Sequence, residues 1–181
     1  MRTYEFTPFR LARVWADELP PAIYEPGIGL KSAVHRPNHR HVARNRVALE
    51  LYKMVDTRTV YGLLGAEFEA AREDELVIRV AGSQSDGVQA DWSLSSHLDS
   101  VCVGLPEVYA HAVRLGAVDE ARHGGFRPGV LSFRYAAHGL NGSSEAVFQW
   151  LGRAVVRLLT VPTLPETPED LDALLGRTEV W

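Results

Sequence analysis

One stretch in the second half of the chain, residues 104–162, constrains the fold more than any other. It reads GLPEVYAHAVRLGAVDEARHGG, then FRPGVLSFRYAAHGLNGSS, then EAVFQWLGRAVVRLLTVP. Pro106 is typical of a helix start and Gly124 of a helix end. The pair Ser143 and Ser144 is typical of a second helix start, ahead of apolar residues at 3.6-residue spacing. The stretch therefore predicts a helix, a strand, a short polar loop and a second helix.

The N-terminal residues predict a short helix. Thr7 and Pro8 are suited to its first turn, and Leu11, Trp15 and Leu19 lie on one helical stripe. Two consecutive prolines then end it.

Two hairpins and another helix are predicted between residues 27 and 95. The segments GIGLKSAVHR and VARNRVALELYKM flank the polar loop PNHRH and predict a long hairpin with a basic tip. Residues 57–73 place Val60, Leu64 and Phe68 at helical spacing. The segments ELVIRVAG and VQADWSLS flank the turn SQSDG and predict a second hairpin.

These elements predict an α+β fold, as a two-layer sandwich with helices on one face of a mainly antiparallel sheet. We expect a helical extension at 1–24 and a main domain at 25–161. Within that domain, residues 57–87 look like an insertion. An acidic, proline-rich tail with a short helix follows at 162–181.

Composition is typical of a globular protein, with 46% hydrophobic and 23% charged residues. No apolar run approaches the roughly 20 residues of a membrane span, and the start MRTYEFTPFR lacks the apolar region of a signal peptide. Cys102 is the sole cysteine, which excludes an internal disulfide and any multi-cysteine zinc site. We expect a cytoplasmic protein without a membrane partner.

Charge is unevenly distributed along the chain. Residues 31–46 carry five basic residues and no acid, namely Lys31, Arg36, Arg40, Arg44 and Arg46, although the whole chain has a net charge of −4. The tail carries five carboxylates against Arg177. Such segregation is informative about partners, because an acid-free basic segment produces a positive local field.

Two parts of the sequence resemble the fourth domain of translation elongation factor G. They are LPEVYAHAVRLGAVDEARHGG with VLSFRY and GSSEAVF, and the earlier GLKSAVHRPNHRHVARNRVALEL, which together cover roughly half the chain. The resemblance implies the fold of ribosomal protein S5 domain 2, with a left-handed crossover. It also implies two adjacent tip loops that touch messenger and transfer RNA, here at 35–46 and 137–144. No GxxxxGK[ST] motif is present, so no GTP-binding domain is expected.

From the basic segment and this resemblance we predict a non-enzymatic module that binds RNA or the ribosome and needs no cofactor. Arginines give bidentate phosphate contacts, and a projecting loop could insert them into folded RNA. The predicted RNA-binding residues are Lys31, His35, Arg36, Asn38, His39, Arg40, His41, Arg44, Arg46, His138, Asn141, Ser143 and Ser144.

Three alternatives remain open at this point. The basic segment could be a solvated loop that pairs with the acidic remainder of the chain. The protein could instead be an interaction or oligomerising subunit that docks a partner through the acidic tail and residues 57–87. Least favoured is a metal-dependent enzyme, in which His35, His39 and His41 would share a metal ion.

Overall fold

A computed structural model describes residues 1–35, 42–71, 75–84, 87–124 and 126–176. These residues form eight strands and three helices. In chain order they are β1 Arg2–Thr7, β2 Arg10–Ala16, β3 Pro26–His35, β4 Arg46–Val55, β5 Arg58–Ala70, β6 Glu75–Ser83, β7 Val101–Val103, α1 Glu107–Gly124, β8 Gly129–Gly139, α2 Glu145–Thr160 and α3 Pro168–Leu175.

All eight strands belong to one sheet. Seven follow the order β1-β2-β4-β5-β8-β6-β3, and the short β7 pairs with the end of β8. The strands pair antiparallel except β6 and β8, which run parallel. The predicted α+β class, with a mainly antiparallel sheet, is therefore confirmed.

Helices α1 and α2 cover one face of the sheet. On β5 and β6, the residues that face them alternate with residues that face away, and those facing them are buried. Gly62 of β5 lies against Leu151 of α2, while Gly82 of β6 lies against Glu107 of α1. This shared face holds most of the hydrophobic core.

The predicted helix–strand–loop–helix unit is confirmed as α1, β8, the turn at 140–144 and α2. Ser144 caps α2, and its hydroxyl accepts a hydrogen bond from the Val147 N–H at 3.4 Å. Glu107 occupies the first turn of α1, as expected for a negative charge near a helix N-terminus. Ser144 is therefore observed as the cap of α2.

The helix predicted within residues 1–24 is wrong, because residues 2–16 form the β1–β2 hairpin. Thr7 and Pro8 lie at its turn, where the Thr7 hydroxyl accepts a hydrogen bond from the Phe9 N–H. Leu11 and Trp15 share a face of β2 because residues four apart lie on the same side of a strand as well as of a helix.

The helix predicted at 57–73 is also wrong, because residues 58–70 form β5. This strand lies between β4 and β8 and is buried on both faces along its middle. Because both faces of β5 are buried, its sequence is a continuous apolar run and lacks the polar–apolar alternation of a half-buried strand. The predicted insertion at 57–87 thus supplies β5 and β6, which are integral to the sheet.

Both predicted hairpins are wrong in their pairing. The strands β3 and β4 are present but lie apart, since β3 pairs with β6 whereas β4 pairs with β2 and β5. The segment predicted as the second strand of the other hairpin forms turns at 91–99, preceded by an isolated bridge between Gln89 and Cys102.

The turns at 91–99 cover part of the sheet face that points away from α1 and α2. A buried carboxylate, Glu50, holds them in place by accepting hydrogen bonds from the Leu94 N–H at 2.8 Å and the Tyr61 hydroxyl at 3.0 Å. Arg13 completes this cluster with an ion pair to Glu50 at 3.1 Å. The outward-facing side of β8, β6 and β3 stays open beside these turns.

The described part of the acidic tail packs on its own domain. Its predicted short helix is confirmed as α3, whose Leu171 and Leu175 are buried against the rest of the chain. Asp172 forms an ion pair with Arg10 of β2, and Arg157 of α2 donates to the Leu175 carbonyl at 2.9 Å. The apolar side of this helix is therefore occupied within the same molecule.

Candidate nucleic-acid interface

Five polar residues form one row across the open face of the sheet. The register pairs Arg46 of β4 with Glu67 of β5, Glu67 with Ser132 of β8, Ser132 with Arg79 of β6, and Arg79 with Lys31 of β3. Directly paired residues point to the same side of a sheet, and neighbouring strands lie about 4.8 Å apart. This charged row, Arg46–Glu67–Ser132–Arg79–Lys31, thus extends over about 19 Å.

A bulge in β8 adds a further arginine beside the charged row. Gly65 pairs with Tyr135 and Ala66 with Phe133, so Arg134 is an extra residue without a partner on β5. Such a bulge changes the direction in which a side chain points. Arg134 is exposed and lines the same cleft as Arg46 and Arg79.

The cleft over this part of the sheet has a volume of about 430 Å³, within the roughly 300–1,000 Å³ of small-molecule pockets. Both carboxylates that line it come from β5. Its lining residues are Asn45, Arg46, Glu67, Phe68, Glu69, Arg79, Val130, Ser132 and Arg134.

The arginines of the cleft form no ion pair with a carboxylate of the described residues. Within the described ranges, none of the guanidinium groups of Arg46, Arg79 and Arg134 has a carboxylate within ion-pair distance, and all three residues are exposed. With Lys31 they place four positive charges on this face, against the carboxylates of Glu67 and Glu69. The open face can therefore accept an anionic ligand.

Glu67 accepts one hydrogen bond from a tyrosine. The Tyr135 hydroxyl donates a hydrogen bond to Glu67 Oε2 at 3.4 Å. Burial and the neighbouring Glu67 raise the pKa of Tyr135, while Arg134 and Arg46 partly oppose this rise. The phenol consequently keeps its proton at neutral pH and stays a donor.

Arg44 has a structural role rather than the predicted RNA-binding role. It is buried at 7% exposure, and its guanidinium donates to the carbonyls of Val161 at 2.8 Å and Pro162 at 3.3 Å. These carbonyls follow the C-terminus of α2, where a positive charge is favourable. Arg44 thus binds the C-terminal end of α2.

The remaining predicted residues of the first loop are divided between two places. Lys31 and Arg46 lie in the charged row, and His35 ends β3 opposite Glu75. The predictions for Arg36, Asn38, His39, Arg40 and His41 lie outside the described residues. Two of the three predicted metal ligands are among these, and the described residues hold no metal-binding group of three or more.

The predicted residues of the second loop mainly build the loop itself. His138 is buried at 6% exposure and shares a hydrogen bond of 3.1 Å with the Gly104 carbonyl, so it does not present its ring to a ligand. The Ser143 hydroxyl donates to the Tyr61 carbonyl at 2.8 Å and accepts from the Gly139 N–H. Asn141 and Ser144 remain exposed.

A buried carboxylate that we did not predict organises this second loop. Asp99 accepts hydrogen bonds from the Asn141 N–H, the Asn141 side-chain amide and the Gly142 N–H, at 2.8 to 3.2 Å. A Cβ at Gly142 would lie 3.1 Å from the Asp99 carboxylate, so glycine leaves room for it. The loop is a packed turn.

The described residues of the two loops do not lie side by side, whereas the resemblance implies adjacent loops. His35 pairs with Glu75, and the next residue of β6 pairs with Gly129 at the start of β8. Asn141 follows Gly139 at the other end of this 11-residue strand. A strand of that length spans about 35 Å, so the described residues of the two loops lie at opposite ends of the sheet.

Three residues of the cleft, Glu67, Arg79 and Arg134, were missed at the sequence level. A signal was present for Arg79, because ELVIRVAG alternates and places this arginine between buried Ile78 and Val80. Arg134 depends on a bulge, and Glu67 lay in a segment predicted as a helix. Only the pairing of distant strands brings them together.

No family model, curated protein or solved structure that we compared with the chain matches it. Among the helices within the described ranges, none combines the length and the apolar character needed to cross a membrane.

Proposed function

We propose that this protein binds RNA through the open face of its sheet. The observation that carries the proposal is that Arg46, Arg79, Arg134 and Lys31 share this face, and that the three arginines form no ion pair with a carboxylate of the described residues. Arginine is well suited to phosphate because its planar guanidinium donates two parallel hydrogen bonds.

The layout of the charges favours a polymer over a single phosphate group. The cations are distributed along the charged row over about 19 Å, rather than converging on one point. An extended single strand of RNA can place successive phosphates along such a line, and sheet faces are a known platform for single-stranded RNA. Affinity would then rest on arginine–phosphate contacts and would fall with salt.

We further propose that the chain is a relative of the fourth domain of elongation factor G with the S5 domain 2-like fold, and that the ribosome is the source of the RNA. The order of α1, β8, a short loop and a serine-capped α2 supports this relation. Because the described parts of the two loops lie at opposite ends of β8, RNA contact here would use the open sheet face.

The experiment measures fluorescence anisotropy of a labelled single-stranded RNA of about 12 nucleotides, at several salt concentrations. The test variant is Arg46→Ala/Arg79→Ala. Arg58→Ala/Arg122→Ala is the matched control, since it removes the same charge from exposed sites elsewhere. We expect the test variant to bind at least about tenfold more weakly and to lower the salt slope by about 2, whereas the control keeps both.

Equal losses in the two variants would mean that binding reflects only overall charge, and would reject the site. Absence of wild-type binding at low salt would reject the function. Co-sedimentation with ribosomes at low and moderate salt, with the same variants, tests whether the ribosome supplies the RNA.

The alternative function, a subunit that docks a partner through the acidic tail, gains no support from the described part of that tail. Leu171 and Leu175 of this tail are buried within the same molecule, and Leu174 is partly buried.

A further inference from the structure

We infer that Glu67 makes the cleft selective for guanine in a bound RNA strand. This inference rests on the proposed function. Glu67 lies within the charged row, between Arg46 and Ser132. A phosphate cannot sit on a carboxylate without strong repulsion, so the part of the strand at this position must be neutral and must offer hydrogen-bond donors.

The carboxylate of Glu67 has free acceptor capacity. Its Oε2 atom accepts from the Tyr135 hydroxyl, while Oε1 has no hydrogen bond to any described residue. An ionised carboxylate has about four lone-pair positions, so both oxygens can accept further bonds. Glu67 is half-buried and has no ion pair within the described ranges, so its carboxylate is available to a ligand.

Guanine is the base whose edge fits a carboxylate. Its N1–H and N2–H groups are adjacent donors that can bind the two oxygens together. Adenine and cytosine each place an acceptor beside their amino group, and uracil flanks its single N–H with two carbonyls. These acceptors would face the carboxylate and be repelled. The cleft should therefore bind guanine more tightly than the other three bases.

The surroundings of Glu67 suit a base with its phosphates. Arg46 lies on one side of it in the charged row, and Arg134 and Arg79 line the same cleft. The strand can therefore keep its phosphates on the arginines while one base enters the cleft of about 430 Å³. Phosphate contacts would position the strand, and Glu67 would specify the base.

The test compares three labelled single-stranded RNAs: oligouridine, the same chain with two central guanines, and the same chain with two central inosines. Inosine lacks only the N2 amino group. We expect the wild type to bind the guanine strand about tenfold more tightly than the inosine strand, since one charge-assisted hydrogen bond is lost. In Glu67→Gln this ratio should fall close to one, while oligouridine binds as well as before or better.

Glu69→Gln is the matched control, because it removes the same charge from the same cleft on the same strand. It should keep the wild-type preference for guanine. Equal wild-type affinity for all three strands would overturn the inference while leaving RNA binding intact. The same holds if Glu67→Gln keeps the preference, or if Glu69→Gln loses it. Failure of the wild type to bind any strand would overturn both proposals, and identical thermal melting of the variants verifies that they are folded.

Discussion

Gly116 of α1 and Gly152 of α2 lie where these two helices cross. Because each lacks a side chain, the backbone of the other helix can approach it closely. A Cβ on Gly152 would stand 2.5 Å from the Val113 carbonyl oxygen, and one on Gly116 would overlap the Gln149 carbonyl oxygen. Both obstacles are backbone atoms, so neither can rotate away. The two glycines therefore set how closely α1 and α2 pack against each other.

Gly116→Ala should destabilise the protein even though alanine is the better helix former. The gain in helix propensity is about 1 kcal/mol, whereas forcing the helices apart costs more, and we expect a net loss of about 2–3 kcal/mol in the free energy of unfolding. Urea denaturation followed by circular dichroism measures it. Gly29→Ala is the control, since a Cβ there meets nothing within 4 Å. Equal stability of Gly116→Ala and the wild type would contradict the close crossing.

Asp99→Ala should destabilise the turn at 140–144. It leaves the N–H groups of Asn141 and Gly142, of which that of Gly142 is buried, without this acceptor, which we expect to cost about 2–4 kcal/mol. Asp91 is exposed and lies in the same run of turns, 91–99, as Asp99. The substitution Asp91→Ala should change the free energy of unfolding by less than about 0.5 kcal/mol. Denaturation midpoints of the two variants provide the comparison, and similar midpoints would show that Asp99 does not hold this turn.

Leu171→Ala should destabilise the folded domain, because this tail residue is fully buried. The expected cost is about 2–4 kcal/mol, against almost none for Leu140→Ala, whose side chain is 66% exposed. Removal of residues 163–181 should lower the melting temperature without changing the oligomeric state measured by light scattering. A change in oligomeric state would instead indicate that the tail mediates self-association.

Glu50 should make stability depend on pH. Burial raises the pKa of this carboxyl above its usual 4.5, while the Leu94 N–H, Arg13 and the Tyr61 hydroxyl offset part of the rise. Between 4.5 and the raised value, the folded state binds more protons than the unfolded state. The contribution of Glu50 to the free energy of unfolding therefore falls as pH rises through this interval.

The measurement is urea denaturation from about pH 4.5 to pH 8, for the wild type and for Glu50→Gln, which cannot titrate. The stability of the wild type relative to Glu50→Gln should decrease with rising pH and then become constant. Glu5→Gln, at an exposed position on β1, is the reference for a change of one charge. A relative stability that rises with pH would show that the partners of Glu50 outweigh its burial.

The central part of the fold could be predicted because its boundaries are marked chemically. Pro106, Gly124 and Ser144 each act on the backbone where they stand, so their meaning does not depend on distant residues. The helices predicted where β2 and β5 lie were wrong because their spacing patterns depend on distant residues for their meaning. Spacings of four residues, as in Val60 and Leu64, place side chains on one side of both a helix and a strand, and only the partner strands decide between the two.

The candidate interface could be predicted only in part for a similar reason. Lys31 and Arg46 were found because charge segregation is visible along the chain. Glu67 and Arg79 join them through the register of five strands, which no local pattern encodes. Arg44 was assigned to the same surface because its sequence neighbours are basic, whereas its role depends on where α2 ends.

The order of the strands has a consequence for how the protein is made. Strand β3 is synthesised early, yet its strand partner β6 begins only at Glu75, and β8, which joins β6 to β5, is completed only at Gly139. The first four strands of the order, β1, β2, β4 and β5, can pair as soon as they leave the ribosome, while β3 must wait. The middle of the sheet is thus the last part of it to be synthesised, and a nascent chain that stops before β8 carries two unjoined groups of strands.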